Sequence, residues 1–440
     1  KRRLRDLQHR STSHPMSNPE PEASPVAAPP PPQKDARRKG RRVLWLAILL
    51  VGVPGVAIVV LTLTSLRATN LQALEGRYPA FDASTGRKPL PAGACGLNQR
   101  SVGQKCELIA VSELKTEEIK YPSSIPEKGV PELAGTLTLP QGIGGGRPAV
   151  LLVHGSGPAD RHLTVPGDLV RKLPDNFAVF DALADWFARQ GFVVLAYDKR
   201  SCGRCYGASS FDPQRFSFQD FETDAIDGLK YLKTRPEVDP SALVVLGASQ
   251  GGGLAPFIAN QAPGVAAVIS LSGLFESFSQ ALIDQLQRIS DIRKQQWDYF
   301  GPLNVFFQRS KLQDCFDNLN GPQYVPEQVC IGGGVTQKAL KEYSERSATG
   351  VQELKRLKVP VFLSQGTLDR NVSPALFQQL KTDLNSQDAE LHCIAGMDHS
   401  QTQALPPSNK LELDSKLLEH LQHFLSTVPL PGGNAPSTTD

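Results

Sequence analysis

The chain has 440 residues, a formal net charge of +3 and seven cysteines, and 40% of its residues are hydrophobic against 21% charged. This length accommodates roughly two to three average domains, and so small a net charge leaves no chain-wide excess that would recruit nucleic acid. The charge is unevenly placed: residues 1–42 hold eleven Lys and Arg against four Asp and Glu, a net +7, so the remainder sums to −4.

That basic tail runs through a proline-rich, aromatic-free stretch from Pro15 to Pro32, for which anionic lipid headgroups are a better match than nucleic acid. Residues 43–66 follow as 24 uncharged, mostly apolar residues, long enough to cross a bilayer as one helix, in which Pro54 and Gly55 are tolerated. The cluster Arg37, Arg38, Lys39, Arg41 and Arg42 abuts this span. By the positive-inside rule the N-terminus stays in the cytoplasm, and everything after residue 66 lies outside it. A cleaved signal peptide is the alternative, but its charged region is normally short and a small-x-small cleavage site should follow. The sequence begins at Lys1 rather than a methionine, so its start is left open.

Residues 67–104 read as a linker with glycine, proline and few periodic apolar positions. Strand-like segments follow at 107–112, 117–121 and 133–139. Ala149 to Val153 is a buried-strand run that opens into the small-residue loop His154-Gly155-Ser156-Gly157-Pro158. Residues 176–190 are helical, with Phe177, Val179, Phe180, Leu183, Trp186 and Phe187 on one face, and residues 192–197 form the next buried strand. Residues 218–234 are again helical. Such alternation implies a mostly parallel sheet covered by helices on both faces, with functional groups at the carboxyl ends of its strands.

Cysteine spacing suggests three nearest-neighbour disulfides, Cys95–Cys106, Cys202–Cys205 and Cys315–Cys330, leaving Cys393 over, although six cysteines permit 15 connectivities. They fit the extracytoplasmic placement. Zinc at Cys202 and Cys205 would need a second close ligand pair. A thioredoxin-like role would need a fold context that is missing here. A loop staple is the simpler reading.

The segment Leu243 to Ala248, Ser249, Gln250-Gly251 is an apolar run that ends in GxSxG and opens into the apolar 254–259. A strand turning abruptly into a helix holds its serine on a strained elbow with the hydroxyl exposed, and small residues at 247 and 251 permit the turn. The bland alternative is a glycine-rich helix start in an ordinary α/β domain. A serine needs a base. His9, His14, His154 and His162 precede it, against the expected order Ser, acid, His. His392 lies inside a strand pattern, and His420 and His423 lie on a helix face. His399 remains, in a loop just beyond a strand. Asp369, in the turn after the strand 359–366, is the acid that would orient it. Asp398 is the rival, badly placed by its adjacency to His399. The oxyanion donors would be the backbone amides of Gln250 and of Ser156 or Gly157. About 85 residues separate the strand 265–271 from the Asp369 strand, enough for a cap over the site; the alternative is a helical layer packed elsewhere.

Four motifs thus agree in type and order: HGSGP, GASQG, GTLDRNV and DHS. With Gly135-Thr136-Leu137-Thr138-Leu139-Pro140, HGSGPADR from His154, and Tyr197-Asp198-Lys199-Arg200, the chain resembles the α/β-hydrolase superfamily, particularly secreted or membrane-attached bacterial esterases related to dienelactone hydrolases and S9-type peptidase catalytic domains. Ser201 and Cys205 depart from the YDKRGxGxS pattern of such members. The resemblance implies an α/β-hydrolase fold over 105–427 with a cap insertion at 274–357; the proline, glycine and polar composition of the tail at 428–440 reads as disordered. The resemblance also implies ester cleavage through Ser249, His399 and Asp369 without metal or organic cofactor, on a small-molecule acyl ester. The same residues would serve a peptidase or an acyltransferase, or stand on a non-catalytic binding module. The sequence is silent on oligomeric state.

Overall fold

The computed structural model describes residues 78–103, 105–165, 176–206, 217–295, 300–331, 335–385, 387–403 and 410–430. The expected tail at 1–42, the apolar span at 43–66 and the last ten residues lie outside them. Among the described residues no helix is long and apolar enough to cross a membrane.

Nine strands form the central sheet: β1 (Phe81–Thr85), β2 (Leu114–Pro122), β3 (Glu132–Pro140), β4 (Arg147–Val153), β5 (Val193–Tyr197), β6 (Val238–Ala248), β7 (Val265–Leu271), β8 (Val361–Gly366) and β9 (Ala389–Ile394). Their order across the sheet is β1-β9-β8-β7-β6-β4-β5-β3-β2. The six from β4 to β9 run parallel, while β2, β3 and β1 add antiparallel edges.

The longer helices are α1 (Val179–Arg189), α2 (Phe218–Thr234), α3 (Gln250–Gln261), α4 (Phe278–Gln295), α5 (Phe300–Asp317), α6 (Gln337–Ser347), α7 (Gly350–Arg356), α8 (Pro374–Asp383) and α9 (Ser415–Thr427). Strand side chains alternate between faces, and the core divides accordingly. Leu151, Val153, Leu243 and Val245 pack with Phe221, Leu229, Ile258 and Phe377 from α2, α3 and α8. Val150, Leu152, Val244 and Leu246 pack with Phe180, Leu183, Phe187, Leu421 and Phe424 from α1 and α9. Continuous apolar runs are what a strand buried on both faces requires. α2 starts at a capping box in which the Ser217 hydroxyl accepts from Gln219 N and the Asp220 carboxylate accepts from Ser217 N at 2.9 Å.

The expected linker at 67–104 is corrected. Its described part contains β1, which pairs along its whole length with β9, and the hairpin Gln99–Val102 with Lys105–Leu108, which also replaces the expected strand at 107–112. β1 alternates half-buried with exposed positions. Phe81 and Ala83 rest on the core, so five residues suffice to cover the edge. Asp82 faces His392 Nδ1 at 2.8 Å, and the His392 ring stacks on His420 of α9 at 3.9 Å. Arg87 bonds Glu390 at 3.0 Å. The 428–440 tail is corrected at its start: Val428 is buried, Pro429 bridges to Gly96, and Leu430 N donates to Cys95 O at 3.2 Å. All three anticipated cysteine pairs are bonded, and Cys393 is free and buried.

The loop after β5 is fixed by ion pairs. Arg161 meets Asp198 at 2.8 Å, and Arg200, 1% exposed, places Nε 2.7 Å from Asp224 Oδ2 on α2. Removing one partner of a buried pair leaves the other charge uncompensated. Asp224→Ala is expected to destabilise the fold by about 3–5 kcal/mol, read as a lower denaturation midpoint in urea at unchanged slope.

Candidate active site

β6 delivers Ser249 to the carboxyl edge of the sheet, and α3 begins at the next residue. Ser249 has φ 56° and ψ −118°, a conformation that costs a non-glycine residue about 1–3 kcal/mol and persists only where its surroundings enforce it. Its N–H donates to Leu271 O of β7 at 2.8 Å. A Cβ on Gly247 would lie 2.0 Å from Gly251 O, and one on Gly251 would lie 2.1 Å from Val153 O. Both glycines of the GxSxG motif are therefore required by close backbone approach. Gly155, in the loop after β4, lies against this turn: a Cβ there would be 3.2 Å from Ser249 Cβ.

Asp369 and His399 lie beyond the ends of the adjacent parallel strands β8 and β9, so their loops leave the same edge. His399 Nδ1 is 2.7 Å from Asp369 Oδ2. Asp369 Oδ1 accepts from Asn371 N at 2.7 Å and Val372 N at 2.9 Å, and Gln365 Nε2 donates to Oδ2 at 2.6 Å. Burial alone would raise this carboxyl. The His399 ring and the two amides outweigh it and hold it below the usual carboxylate range. For His399, burial favours the neutral ring, but the Asp369 charge and hydrogen bond prevail and raise it above the ordinary histidine value. Asp398 is turned to its own loop, accepting from Ser400 N at 2.9 Å and Thr402 N at 3.2 Å.

Ser249, His399, Ser156 and Gln250 line one cavity of about 90 Å³, completed by Leu274, Phe278, Ala281, Leu282, Gln285, Tyr343, Asn371 and Val372. Several of these come from α4 and α6, which lie within the segment 274–357. Gly157 is not among the lining residues; its carbonyl accepts from Ser201 Oγ at 3.1 Å. His154 is buried with Nε2 3.0 Å from Asp160 O. Burial, aided by the Lys199 charge, pulls its ring down to about 3, so it stays neutral and holds its loop.

One buried group escapes the sequence reading. Lys199, 3% exposed, donates to Gly155 O at 2.7 Å and Gln250 Oε1 at 2.6 Å, and its Nζ lies 4.1 Å from the Phe221 ring centroid. Burial pulls its ammonium down to about 7. The available signal was three consecutive charged residues, Asp198 to Arg200, directly after a buried strand.

The Asp369–His399 pair makes a spectroscopic prediction. His399 should titrate above the free-imidazole value of about 6.5, followed by its ring-carbon resonances across a pH series. With Asp369→Asn its titration should fall below that of the parent protein, whereas Asp398→Asn should move it far less. A parent ring that titrates below about 6 would contradict the pairing.

Comparison with known proteins adds a lineage to this geometry. A family model described as serine aminopeptidase, S33 matches residues 173–403. The esterase EstD of Thermotoga maritima is 27% identical over 265 residues, 60% of this chain and 56% of the relative; the chain thus spans about half the length of that curated relative. Among solved structures, an acetyl xylan esterase from Paenibacillus sp. R4 is 16% identical with a TM-score of 0.44, covering 81% of this chain and 91% of its own. An esterase of Pyrobaculum calidifontis is likewise 16% identical with a TM-score of 0.44, covering 72% of this chain and 86% of its own. The matched segment, residues 173–403, takes in α1, the Ser249 turn and the His399 loop, and the chain belongs to this serine aminopeptidase S33 family of the α/β-hydrolase superfamily.

Proposed function

We propose that the domain is a serine hydrolase that cleaves carboxylic esters through Ser249, His399 and Asp369. The observation that carries this reading is the Asp369 carboxylate 2.7 Å from His399 Nδ1, with His399 and the strained Ser249 lining one cavity. Ser249 Oγ attacks the ester carbonyl carbon while His399 Nε2 takes its proton. The tetrahedral oxyanion is held by the amides of Ser156 and Gln250. Collapse breaks the bond to the alcohol oxygen, which leaves with the proton from His399. A water, deprotonated by the same ring, then releases the acid and restores Ser249. Asp369 stabilises the imidazolium and fixes its tautomer without itself taking the proton.

The cavity of about 90 Å³ has room for roughly six to nine waters at about 10–15 Å³ each, a space on the scale of a short acyl group. Apolar Leu274, Phe278, Ala281, Leu282 and Val372 line it, which suits an alkyl chain. A second reading, cleavage of an aminoacyl amide, is favoured by the description of the matched family as a serine aminopeptidase; the esterase EstD of Thermotoga maritima favours the ester. We further infer that the domain works outside the cytoplasm, tethered by the apolar span at 43–66. The charge bias before that span and the three cysteine pairs after it support this placement.

A fluorophosphonate should label the protein at Ser249 and should fail on Ser249→Ala. Acetate and butyrate aryl esters should turn over faster than octanoate, and aminoacyl amides more slowly than any of them; faster amides would select the second reading. Losing Ser249 or His399 should lower kcat by several orders of magnitude. Because the His399 ring is raised, kcat/KM should increase with pH through a midpoint above about 6.5, the neutral ring being the base. For topology, protease added to sealed spheroplasts should digest the domain and spare a fragment carrying the span. A protected domain with free thiols would refute the placement.

A further inference from the structure

Lys199 connects the two chain segments that supply the oxyanion donors. Its Nζ bonds Gly155 O at 2.7 Å on one side and Gln250 Oε1 at 2.6 Å on the other. Gly155 O belongs to the same peptide unit as the Ser156 N–H. A trans peptide is planar and its C=O and N–H point in opposite directions. Holding the carbonyl towards Lys199 therefore aims the Ser156 N–H away from it, and Ser156 lines the cavity beside Ser249. Gln250, the other end of the clamp, supplies the second backbone donor at the start of α3. A hydrogen-bond donor held on the carbonyl side also polarises the peptide and strengthens its N–H as a donor.

The surroundings suit this role. Both hydrogen-bond acceptors of Lys199 are neutral oxygens, and its Nζ also sits over the Phe221 ring face. The charged residues on either side are engaged elsewhere, Asp198 with Arg161 and Arg200 with Asp224. A lysine kept inside the fold only for packing would have no need to join these two segments.

We propose that Lys199 is a positioning residue of the oxyanion hole, orienting the Gly155–Ser156 peptide and anchoring Gln250 so that their two N–H groups converge on the developing oxyanion. This rests on the ester-hydrolase reading above. Substrate binding does not need that convergence and the transition state does, so the loss should fall on kcat rather than KM.

The test compares the parent protein with Lys199→Met, which keeps the length of the side chain and removes its donors. The folded variant should lose about 10²-fold in kcat on an aryl acetate at nearly unchanged KM. Its affinity for an alkylboronic acid, a mimic of the tetrahedral state, should fall by a similar factor. If Lys199→Met does not fold, Gln250→Leu removes one anchor while retaining the lysine, and about a tenfold loss in kcat with parallel loss of boronate affinity is expected. Folded Lys199→Met with kcat within about threefold of the parent, or with the loss carried by KM and boronate affinity intact, overturns the proposal alone; for Gln250→Leu, an unchanged kcat does so. A parent protein inert to both the ester and a fluorophosphonate overturns the hydrolase reading, and this proposal with it.

Discussion

The site rests on a backbone contact in which side chains have no part: Gly251 at the start of α3 sits so close to the end of β4 that any Cβ would collide with Val153 O. Because β4 and β6 pair in parallel register up to Val153 and Gly247, that contact fixes how sharply the chain turns after β6. The turn forces Ser249 into its positive φ, and it brings Gly155 against the serine. Local strain at one residue is thus balanced by the packing of a whole sheet and helix, which is the usual condition for its survival. A side chain at 251 would push α3 outward, moving the serine and the Gln250 amide together.

The electrostatics follow from the same layering. Asp369 is fully enclosed and would be costly as a bare anion. It is ionised because two turn amides, the Gln365 amide and the His399 ring converge on it. Three of those donors come from the turn or strand that carries it, so the carboxylate is organised before any partner is considered. The loop after β5 uses the opposite arrangement, with three consecutive charges each directed to a different element.

The sheet, the elbow and the residues grouped around the cavity were legible because each depends on a local pattern. Buried parallel strands show as unbroken apolar runs, and Val265–Leu271 and Phe218–Thr234 appear with the boundaries read from periodicity. Ser249, Asp369 and His399 each follow such a run directly. β1 was missed for the converse reason: five residues with one large apolar side chain, among glycines and prolines, carry too little periodicity. Their strand identity comes from β9, far along the chain. Lys199 was missed because its partners are a backbone carbonyl and an amide side chain, and no spacing rule reports on either. Gly157 was offered beside Ser156 because a small-residue loop does not reveal which of its amides faces inward.

The pairing of β1 with β9 has a consequence for how the chain is assembled. Thr85 reaches Gln387 across 302 residues, so β1, the first of the sheet's described strands in chain order, can dock only after β9 has emerged. Contacts of such separation form late, after loop-closure entropy has been overcome by the rest of the sheet. Until then the outer edge of β9 is bare, and with it Cys393, which in the finished fold lies opposite Phe81. Burial there pushes its thiol up to about 12, where almost no thiolate exists to attack a disulfide. In the finished fold Cys393, the one cysteine outside a disulfide, is thus enclosed beside the last edge to be covered.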